Sequence, residues 1–459
     1  MRKNLLALVL AAGKGTRFKS DKIKVLHPLL GKPMIHFVVD CVLALRPEAV
    51  YVVVGCQKNE IIQEKFSKRV EFVIQEKQLG TAHAVLAAKK ELQKQQEKDL
   101  LVINGDLALI RPGTLRPMVS QHRRQENALT FLSAEMDDPT GFGRVTRLEN
   151  NVIRIIEEKD ATPAERKIKE ANVGVYLFRI KDLLETLPKI SNKNKKSEYY
   201  LTDIIEIMSG KGKRIGVYRI PYEQEIIGIN DRYELAKAVE ILRRRKIKSL
   251  AKSGVTIYDP DTTWIDLDVE IGRDTTVYSS VILEGKTVIG ERCTLYPFVH
   301  VCDSRVGKGV RILTSTMIEG SSIEQDAQVG PFSHLRPRTV IKAGAKVGNF
   351  VEVKNTVFGE GSKAMHLTYL GDSEIKENVN IGAGTITCNY DGRKKHKTFI
   401  DAEAFIGSGT ELIAPVKIGK KAYVGAGSTI NKDVSPGALA VSRSKQVEKP
   451  GWGERKRKK

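Results

Sequence analysis

Two rhythms of apolar residues divide the chain. In the first half, short unbroken runs read as strands: LLALVLA (5–11), AVYVVVG (49–55), VEFVIQ (70–75), DLLVINGD (99–106) and ALTFLSAE (128–135). Helical stretches separate them, one from about residue 34 and another at GTAHAVLAAKKEL (80–92). A run that is apolar at every position suits a strand buried on both faces. Strands alternating with helices predict a doubly wound α/β sheet, whose ligands bind beyond the carboxyl ends of its strands. Residues 11–17 and 104–106 fall there. The opening MRKNLLALVLAAGKGTR is read as a first strand, not a signal segment, because its apolar run is short and Gly13 and Gly15 interrupt it.

From about residue 254 to 440 the period becomes six. Aliphatic residues stand at 271, 277, 283, 289 and 295, at 323, 329, 335, 341, 347 and 353, and at 400, 406, 412, 418, 424 and 430. Glycine often follows directly, as at Gly272, Gly290, Gly330, Gly348, Gly407, Gly419 and Gly425. A hexapeptide period predicts a parallel β-helix, each unit supplying one flat side of a three-sided coil with its aliphatic residue inward. Two segments break the period, GEGSKAMHLTYLGDSE (359–374) and CNYDGRKKHKTF (388–399), and both are read as loops projecting from the scaffold. DRYELAKAVEILRRRKIKSL (231–250) reads as a connecting helix. The expected organisation is 1–229, a linker helix over 230–250, a β-helix over 251–440, and a basic tail over 441–459.

Composition adds exclusions. At 459 residues one core is not enough, so more than one domain is required. No apolar run approaches the length that a membrane helix needs. Cys41, Cys56, Cys293, Cys302 and Cys388 are scattered, without a CxxC pair, which argues against zinc or a disulfide framework and for a reducing cytoplasm. The net charge of +21 admits nucleic acid, an anionic surface or anionic small substrates.

Candidate chemistry clusters in two places. LAAGKGTR (10–17) is neither GxGxxG nor GxxxxGK[ST], which disfavours a dinucleotide fold and excludes a Walker loop. Its glycines let backbone N–H groups approach a ligand, and Lys14, Arg17 and Lys24 offset phosphate charge. Asp106, just past a strand, is a hard oxygen ligand of the kind magnesium takes. In the β-helix, Arg336 and Lys354 are 18 residues apart, one full coil, so two cations stack and suit a phosphate. His366, in the first interruption, is the natural general base. Taken singly, each has a plainer reading: a solvated surface charge, a capping aspartate, a structural histidine.

The segment LAAGKGTR with Lys24, QLGTAHA (78–84), NGD (104–106), DDPTGFGR (137–144), IIEEKD (155–160), ANVG (171–174), EYYLTDII (198–205) and IGIN (227–230) resembles the sugar nucleotidyltransferases. With HLTYLGD (366–372) and NIGAGTITCNYDG (380–392), residues 5–445 resemble the family of bacterial bifunctional N-acetylglucosamine-1-phosphate uridylyltransferase/glucosamine-1-phosphate N-acetyltransferases. The resemblance implies a Rossmann-like nucleotidyltransferase domain followed by a left-handed β-helix acetyltransferase. It implies that Ala11, Ala12, Gly13, Lys24, Gln75, Gly80 and Thr81 hold UTP, with Arg17 and Lys24 catalytic. Gly143, Glu157, Asn172 and Asn230 would hold N-acetylglucosamine 1-phosphate, and Asp106 and Asn230 the Mg²⁺. His366 would deprotonate the amine of glucosamine 1-phosphate, itself held by Arg336, Lys354, Tyr369, Asn380 and Asn389. Ala383, Tyr390, Ser408, Ala426 and Arg443 would meet acetyl-CoA. The β-helix would assemble a homotrimer with shared acetyl sites. The chain departs from the family pattern at Ile23 (usually proline), Asn104 (often tyrosine) and Leu107-Ala108-Leu109.

Three other readings compete: the same fold with a different sugar, one half serving assembly alone, and a nucleic-acid binder argued from charge. Nucleic acid and membrane insertion are not expected. No basic-aromatic interleaving supports the first, and every expected substrate is already an anion.

Overall fold

The computed structural model describes residues 4–13, 15–55, 58–64, 66–149, 151–220 and 223–457. The chain forms two compact units, Met1–Leu242 and Arg243–Lys459. The division falls inside one helix, Arg232–Lys252.

The first unit is built on one sheet: β1 (Leu5–Leu10), β2 (Val50–Val54), β3 (Val70–Ile74), β4 (Asp99–Asn104), β5 (Leu129–Glu135), β6 (Gly143–Leu148), β7 (Asn151–Ile156), β8 (Glu170–Arg179) and β9 (Ile215–Arg219). The order is β9-β5-β8-β4-β1-β2-β3, with the β6–β7 hairpin attached to β8. Strands β1 to β4 are parallel. Alternate residues explain their unbroken apolar runs. Leu5, Ala7 and Val9 join Val50 and Val52 in one core, while Leu6 and Leu8 join Tyr51 and Val53 in another on the opposite face.

Strand β8 departs from a fully parallel sheet. It runs antiparallel to both β4 and β5, being reached from a hairpin rather than a crossover helix. Its register slips between Asn172 and Tyr176, where Gly174 has φ +82°. Such a bulge re-aims the side chains beside it. The helix expected over 80–92 is two, Thr81–Ala87 and Lys89–Gln93.

The second unit is a parallel β-helix. Short strands pair with their counterparts one coil on, as in Thr276↔Thr294, Thr294↔Arg311 and Arg311↔Gln328. Every expected inward position from 277 to 430 is buried, and Ile271, in the first turns, is half-buried against the same core. Threonine and serine hydroxyls bond the next coil at the corners, as Thr275 does to the Gly290 carbonyl at 2.8 Å. Cys293 stands in that column, its thiol 3.0 Å from the Gly307 carbonyl, as a small buried residue.

The two interruptions differ in kind. Most of residues 388–399 does leave the coil: 389–397 lie between the coil strands Ile386–Cys388 and Thr398–Ile400, with a bridge between Tyr390 and Lys395. Residues 359–374 do not form a loop. Lys363–Gly371 is a nine-residue strand paired along its length with Lys346–Lys354, so His366 stands on the scaffold itself. These two strands run through a corner and join two sides of the coil; Ala364 and Leu370 still stand six apart, and the period is lost at the five-residue steps on either side, Val353 to Phe358 and Leu370 to Ile375.

Candidate active sites

The carboxyl edge of the first sheet gathers most of its expected residues. Ala11 and Ala12 continue β1; the Ala11 N–H donates to the Val53 carbonyl at 2.9 Å, and Gln78 donates to the Ala12 carbonyl. Gln75 follows β3 and is 3% exposed. Its Nε2 donates to the Gly80 carbonyl at 3.2 Å and lies 3.1 Å from His83 Nδ1. Gly80 has φ +112°, and a Cβ there would meet Tyr199 O at 2.5 Å, so only glycine fits. The Thr81 hydroxyl accepts the Leu201 N–H at 2.9 Å, tying that segment to 199–202. Gly13 is exposed at the turn, and Lys14 lies outside the described residues.

Four polar side chains meet beside this turn. Lys24 Nζ contacts Asp106 Oδ2 and donates to Asn230 Oδ1 at 3.0 Å, and Arg17 donates to the same oxygen at 2.9 Å. The Asn230 N–H donates to Glu234 at 2.5 Å, and the Ile229 N–H to the Asp106 carbonyl at 3.3 Å. Ile23, where the family carries proline, has φ −56°, inside the range proline would impose. The turn before Lys24 therefore keeps its shape.

The β8 bulge lies beside the end of β4. Asn172 pairs in register with Gly143, donates to the Tyr176 hydroxyl at 2.7 Å, and accepts from the Gly174 N–H at 3.3 Å. Asn104 abuts Gly174, where a Cβ would lie 2.5 Å from Asn104 Nδ2. Glu157, just past β7, accepts from the Thr202 hydroxyl at 3.0 Å. Burial pushes its carboxyl above the usual value, against that hydrogen bond. Asp203 is pushed up to about 6 by burial, then by Glu157, Glu206 and Asp160. Gly143, Glu157 and Asn172 thus lie together, with Thr202 an addition that the sequence reading missed.

On the β-helix, His366 pairs in register with Asn349, and its Nδ1 is 2.9 Å from Asn349 Oδ1. With that oxygen accepting, Nδ1 carries the proton and Nε2 offers the lone pair. Arg336 and Lys354 occupy successive coils, since Leu335 pairs with Val353 and the Arg336 N–H donates to the Val353 carbonyl. Arg336 pairs with Glu352 at 2.8 Å. Lys354 is held below the usual lysine value by Lys395 first and then Arg336, so three cations crowd together. Asn389 Nδ2 is 3.5 Å from the Tyr369 hydroxyl and donates to Asp372 at 2.6 Å. Asp372, 7% exposed, is gripped on its other oxygen by Asn355.

Asn380 is not with them. It pairs with Lys363 and Phe405, on the side of the His366 corner away from Tyr369 and Ile386. Tyr390 is also apart, on the protruding loop, its hydroxyl donating to the Gly392 carbonyl.

The other acetyl-CoA candidates form one column. Gly384 N–H donates to the Leu367 carbonyl, Gly409 N–H to Ala383, Gly427 N–H to Ser408, and the Arg443 guanidinium to the Ala426 carbonyl at 2.7 Å. From His366 to Arg443 is four coil steps, about 19 Å at ~4.8 Å each. The column ends at the Arg443 guanidinium and begins beside His366.

Comparison with known proteins agrees with both halves. The nucleotidyl transferase family model matches residues 6–223. "Bifunctional protein GlmU" of Geobacillus sp. (strain WCH70) is 47% identical over 98% of this chain and 97% of its own length. The proteins of the same description from Caldanaerobacter subterraneus subsp. tengcongensis and Listeria monocytogenes serotype 4a are 46% and 44% identical, covering 100% and 98% of this chain and 99% and 98% of their own lengths. The chain belongs to the bifunctional GlmU family. With that membership come both activities, acetyl transfer to glucosamine 1-phosphate and uridylyl transfer to N-acetylglucosamine 1-phosphate, in UDP-N-acetylglucosamine synthesis. No helix among the described residues is long and apolar enough to cross a membrane.

Sequence reasoning missed Asn349, Asp372 and Lys395. Asn349 stands 17 residues before His366, one shortened coil, and that spacing was the available signal. Asp372 closes HLTYLGD, and Lys395 sits in the basic run 393–397.

Proposed function

We propose that the unit ending at Leu242 transfers the uridylyl group and the β-helix transfers the acetyl group, with residue roles as follows. In the first, Gln75 and the backbone at 11–13 hold uracil; Gly80 and Thr81 shape its pocket. Gly143, Glu157, Asn172 and Asn230 hold the sugar phosphate. Its phosphate oxygen attacks the α-phosphorus of UTP, and the bond to pyrophosphate breaks. The nucleophile is already an anion, so no strong general base is needed; catalysis rests on alignment and on charge neutralisation, to which Arg17 and Lys24 contribute.

Asp106 and Asn230 are the residues that would hold magnesium. Both turn a hard oxygen towards one point, and the Lys24 ammonium occupies it as a stand-in cation. No group of three or more His, Cys, Asp or Glu side chains suited to a metal is found among the described residues. One carboxylate and one amide oxygen suit a metal completed by substrate phosphates. Bound magnesium would offset triphosphate charge.

In the β-helix, His366 Nε2 takes a proton from the sugar amine. The amine nitrogen attacks the thioester carbonyl of acetyl-CoA, the C–S bond breaks, and CoA leaves as its thiol. Arg336 and Lys354 bind the sugar phosphate, with Lys395 beside them, while Tyr369 and Asn389 bind the sugar. Ala383, Ser408, Ala426 and Arg443 line the CoA track, with Tyr390 at its edge. The observation that carries this reading is the column from His366 to Arg443. The separation of Asn380 from Tyr369 supports a homotrimer, in which a neighbouring copy completes each acetyl site. A cytoplasmic location fits the scattered cysteines, of which Cys41, Cys293, Cys302 and Cys388 are free.

A reconstituted assay tests it. Glucosamine 1-phosphate, acetyl-CoA, UTP and Mg²⁺ are mixed with the protein, and CoA and pyrophosphate are scored separately with each substrate omitted in turn. Pyrophosphate release from UTP alone, or CoA release without glucosamine 1-phosphate, overturns the coupling. A monomer with full acetyl transfer overturns the shared site.

A further inference from the structure

His83 is hydrogen-bonded to Gln75, and that contact settles what Gln75 can recognise. The Gly80 carbonyl oxygen can only accept, so the Gln75 atom 3.2 Å from it is the amide nitrogen. That carbonyl cannot move aside. It also accepts the Ala84 N–H at 3.1 Å as the first bond of helix Thr81–Ala87, and Gly80 is packed against the Tyr199 backbone. The second amide proton faces His83 Nδ1 at 3.1 Å. Nδ1 must then be an acceptor, with the imidazole proton on Nε2. Both amide protons are used, and the Gln75 backbone is itself fixed, its N–H donating to the Val54 carbonyl at 2.8 Å. Gln75 therefore presents only its Oε1, an acceptor.

We propose that His83 is a positioning residue for nucleobase specificity: it locks the Gln75 amide so that Oε1 faces ring position 3 of the base and selects uracil over cytosine. Uracil carries a proton at N3 and donates to Oε1; cytosine carries a lone pair there and is repelled. Cytosine becomes acceptable only if the amide rotates. Rotation turns Oε1 towards the Gly80 carbonyl, which can only accept, and towards His83 Nδ1, an acceptor as long as the imidazole keeps its proton on Nε2. This rests on the reading of Gln75 as the uracil-binding residue.

The test is the ratio of kcat/KM for UTP to that for CTP, with N-acetylglucosamine 1-phosphate and Mg²⁺, in the full chain. Gln75→Ala should collapse the ratio. His83→Leu removes one of the two acceptors and should lower the ratio about fivefold, the net worth of one hydrogen bond. His83→Asn, whose Oδ1 can stand where Nδ1 stood, should restore it to within twofold of wild type. If His83→Leu does not fold, His83→Phe, a ring without the acceptor, is read by the same criterion. A ratio unchanged by Gln75→Ala overturns the reading of Gln75 and this proposal with it. A ratio that collapses in Gln75→Ala but moves less than twofold in His83→Leu overturns the proposal alone. Equal loss in His83→Leu and His83→Asn also overturns it, because the accepting atom is then not what matters.

Discussion

Gly348→Ala should silence acetyl transfer and spare uridylyl transfer. Gly348 lies in Lys346–Lys354, one residue before Asn349, and faces Met365, the residue before His366. A Cβ at 348 would stand 2.0 Å from the Met365 carbonyl oxygen and 2.6 Å from that residue's C and Cα, where ordinary contacts begin at about 3.4 Å. All three atoms are backbone, so no rotamer change relieves the clash. Gly348 cannot retreat either, since the Ser333 hydroxyl holds its carbonyl from the preceding coil. Lys363–Gly371 must give way, by roughly 1.4 Å on these contact distances.

That shift carries the Asn349–His366 contact from 2.9 Å past hydrogen-bond reach. Two or three ladder bonds would go with it, at about 1 kcal/mol net each, so the coil loses roughly 2–3 kcal/mol. A reacting group misplaced by about 1 Å costs on the order of 100-fold in rate. CoA release from acetyl-CoA and glucosamine 1-phosphate should therefore fall ~100-fold. Pyrophosphate release from UTP and N-acetylglucosamine 1-phosphate, in the same preparation, should stay within about twofold. Acetyl transfer within about threefold of wild type would refute the reasoning. So would an equal fall in both activities, which would mean general unfolding rather than a displaced strand.

Other substitutions probe other links. His366→Ala should lower acetyl transfer by about 10²–10⁴-fold, the usual worth of a general base, with uridylyl transfer intact; full acetyl transfer would remove His366 from that role. Asp106→Asn should cut pyrophosphate release most steeply at limiting Mg²⁺ and leave CoA release alone, and a rate independent of Mg²⁺ in both proteins would refute the assignment. Glu225 is 1% exposed and accepts from the Arg111 N–H and guanidinium and from Thr114, joining the segment after Asp106 to the one before Asn230. Glu225→Ala should cost about 2 kcal/mol in urea unfolding, since it removes the acceptor of the Thr114 hydroxyl and of the Arg111 N–H, and a loss under about 1 kcal/mol would contradict that. Asp203 is raised from 3.8 to about 6, chiefly by burial, so its stabilising neutral form is complete below about pH 4 and is lost as pH climbs through about 6. Asp203→Asn should raise the half-inactivation temperature of uridylyl transfer after heating at pH 8, by the equivalent of ~1 kcal/mol once solvent screening is allowed for, and change nothing after heating at pH 4. Equal shifts at both pH values would refute the electrostatic origin.

How much of this was legible in the sequence depends on whether a pattern is local. The parallel strands β1, β2 and β4 were visible because burial on two faces writes itself into nearly every position, whereas β3, at the sheet edge, buries only Val73 and leaves Glu71 and Ile74 exposed. Strand β8 was not, because its direction is set by a hairpin before it, and its bulge by Gly174. Arg336 and Lys354 could be placed together from spacing alone, since the coil between them keeps all three six-residue steps, Leu335 to Ile341 to Val347 to Val353. Asp372 could not, because its partners Asn355 and Asn389 are polar residues that no periodicity marks. The assignment of 359–374 to a loop failed because period six assumes that strands end at corners, and Lys363–Gly371 passes through one.

The shortened steps in that period have a single structural origin, and it reaches the acetyl site. The inward residues step by six from Leu295 to Val301, then by five to Val306; the five-residue step recurs from Ile318 to Ile323, Val353 to Phe358 and Leu370 to Ile375. Each shortened step ends in a strand of the same face of the coil: Arg305–Val306, Ser322–Ile323, Val357–Phe358 and Ser373–Ile375. A residue lost within a flat side would turn its inward residue outwards. Lost at a corner, it shortens only the turn, because pairing with the previous coil resets each side. The turn then needs a left-handed residue, and Asp303, Gly320, Asn355 and Asp372 supply it, with φ between 45° and 50°. Two of these, Asn355 and Asp372, bond to each other, and Asp372 holds Asn389 beside Tyr369. The shortened corner that hides the period therefore also places a carboxylate behind Asn389, the amide proposed to bind the sugar. Asp372→Ala should raise the KM for glucosamine 1-phosphate more than that for acetyl-CoA, since it frees Asn389 and leaves the column from His366 to Arg443 in place.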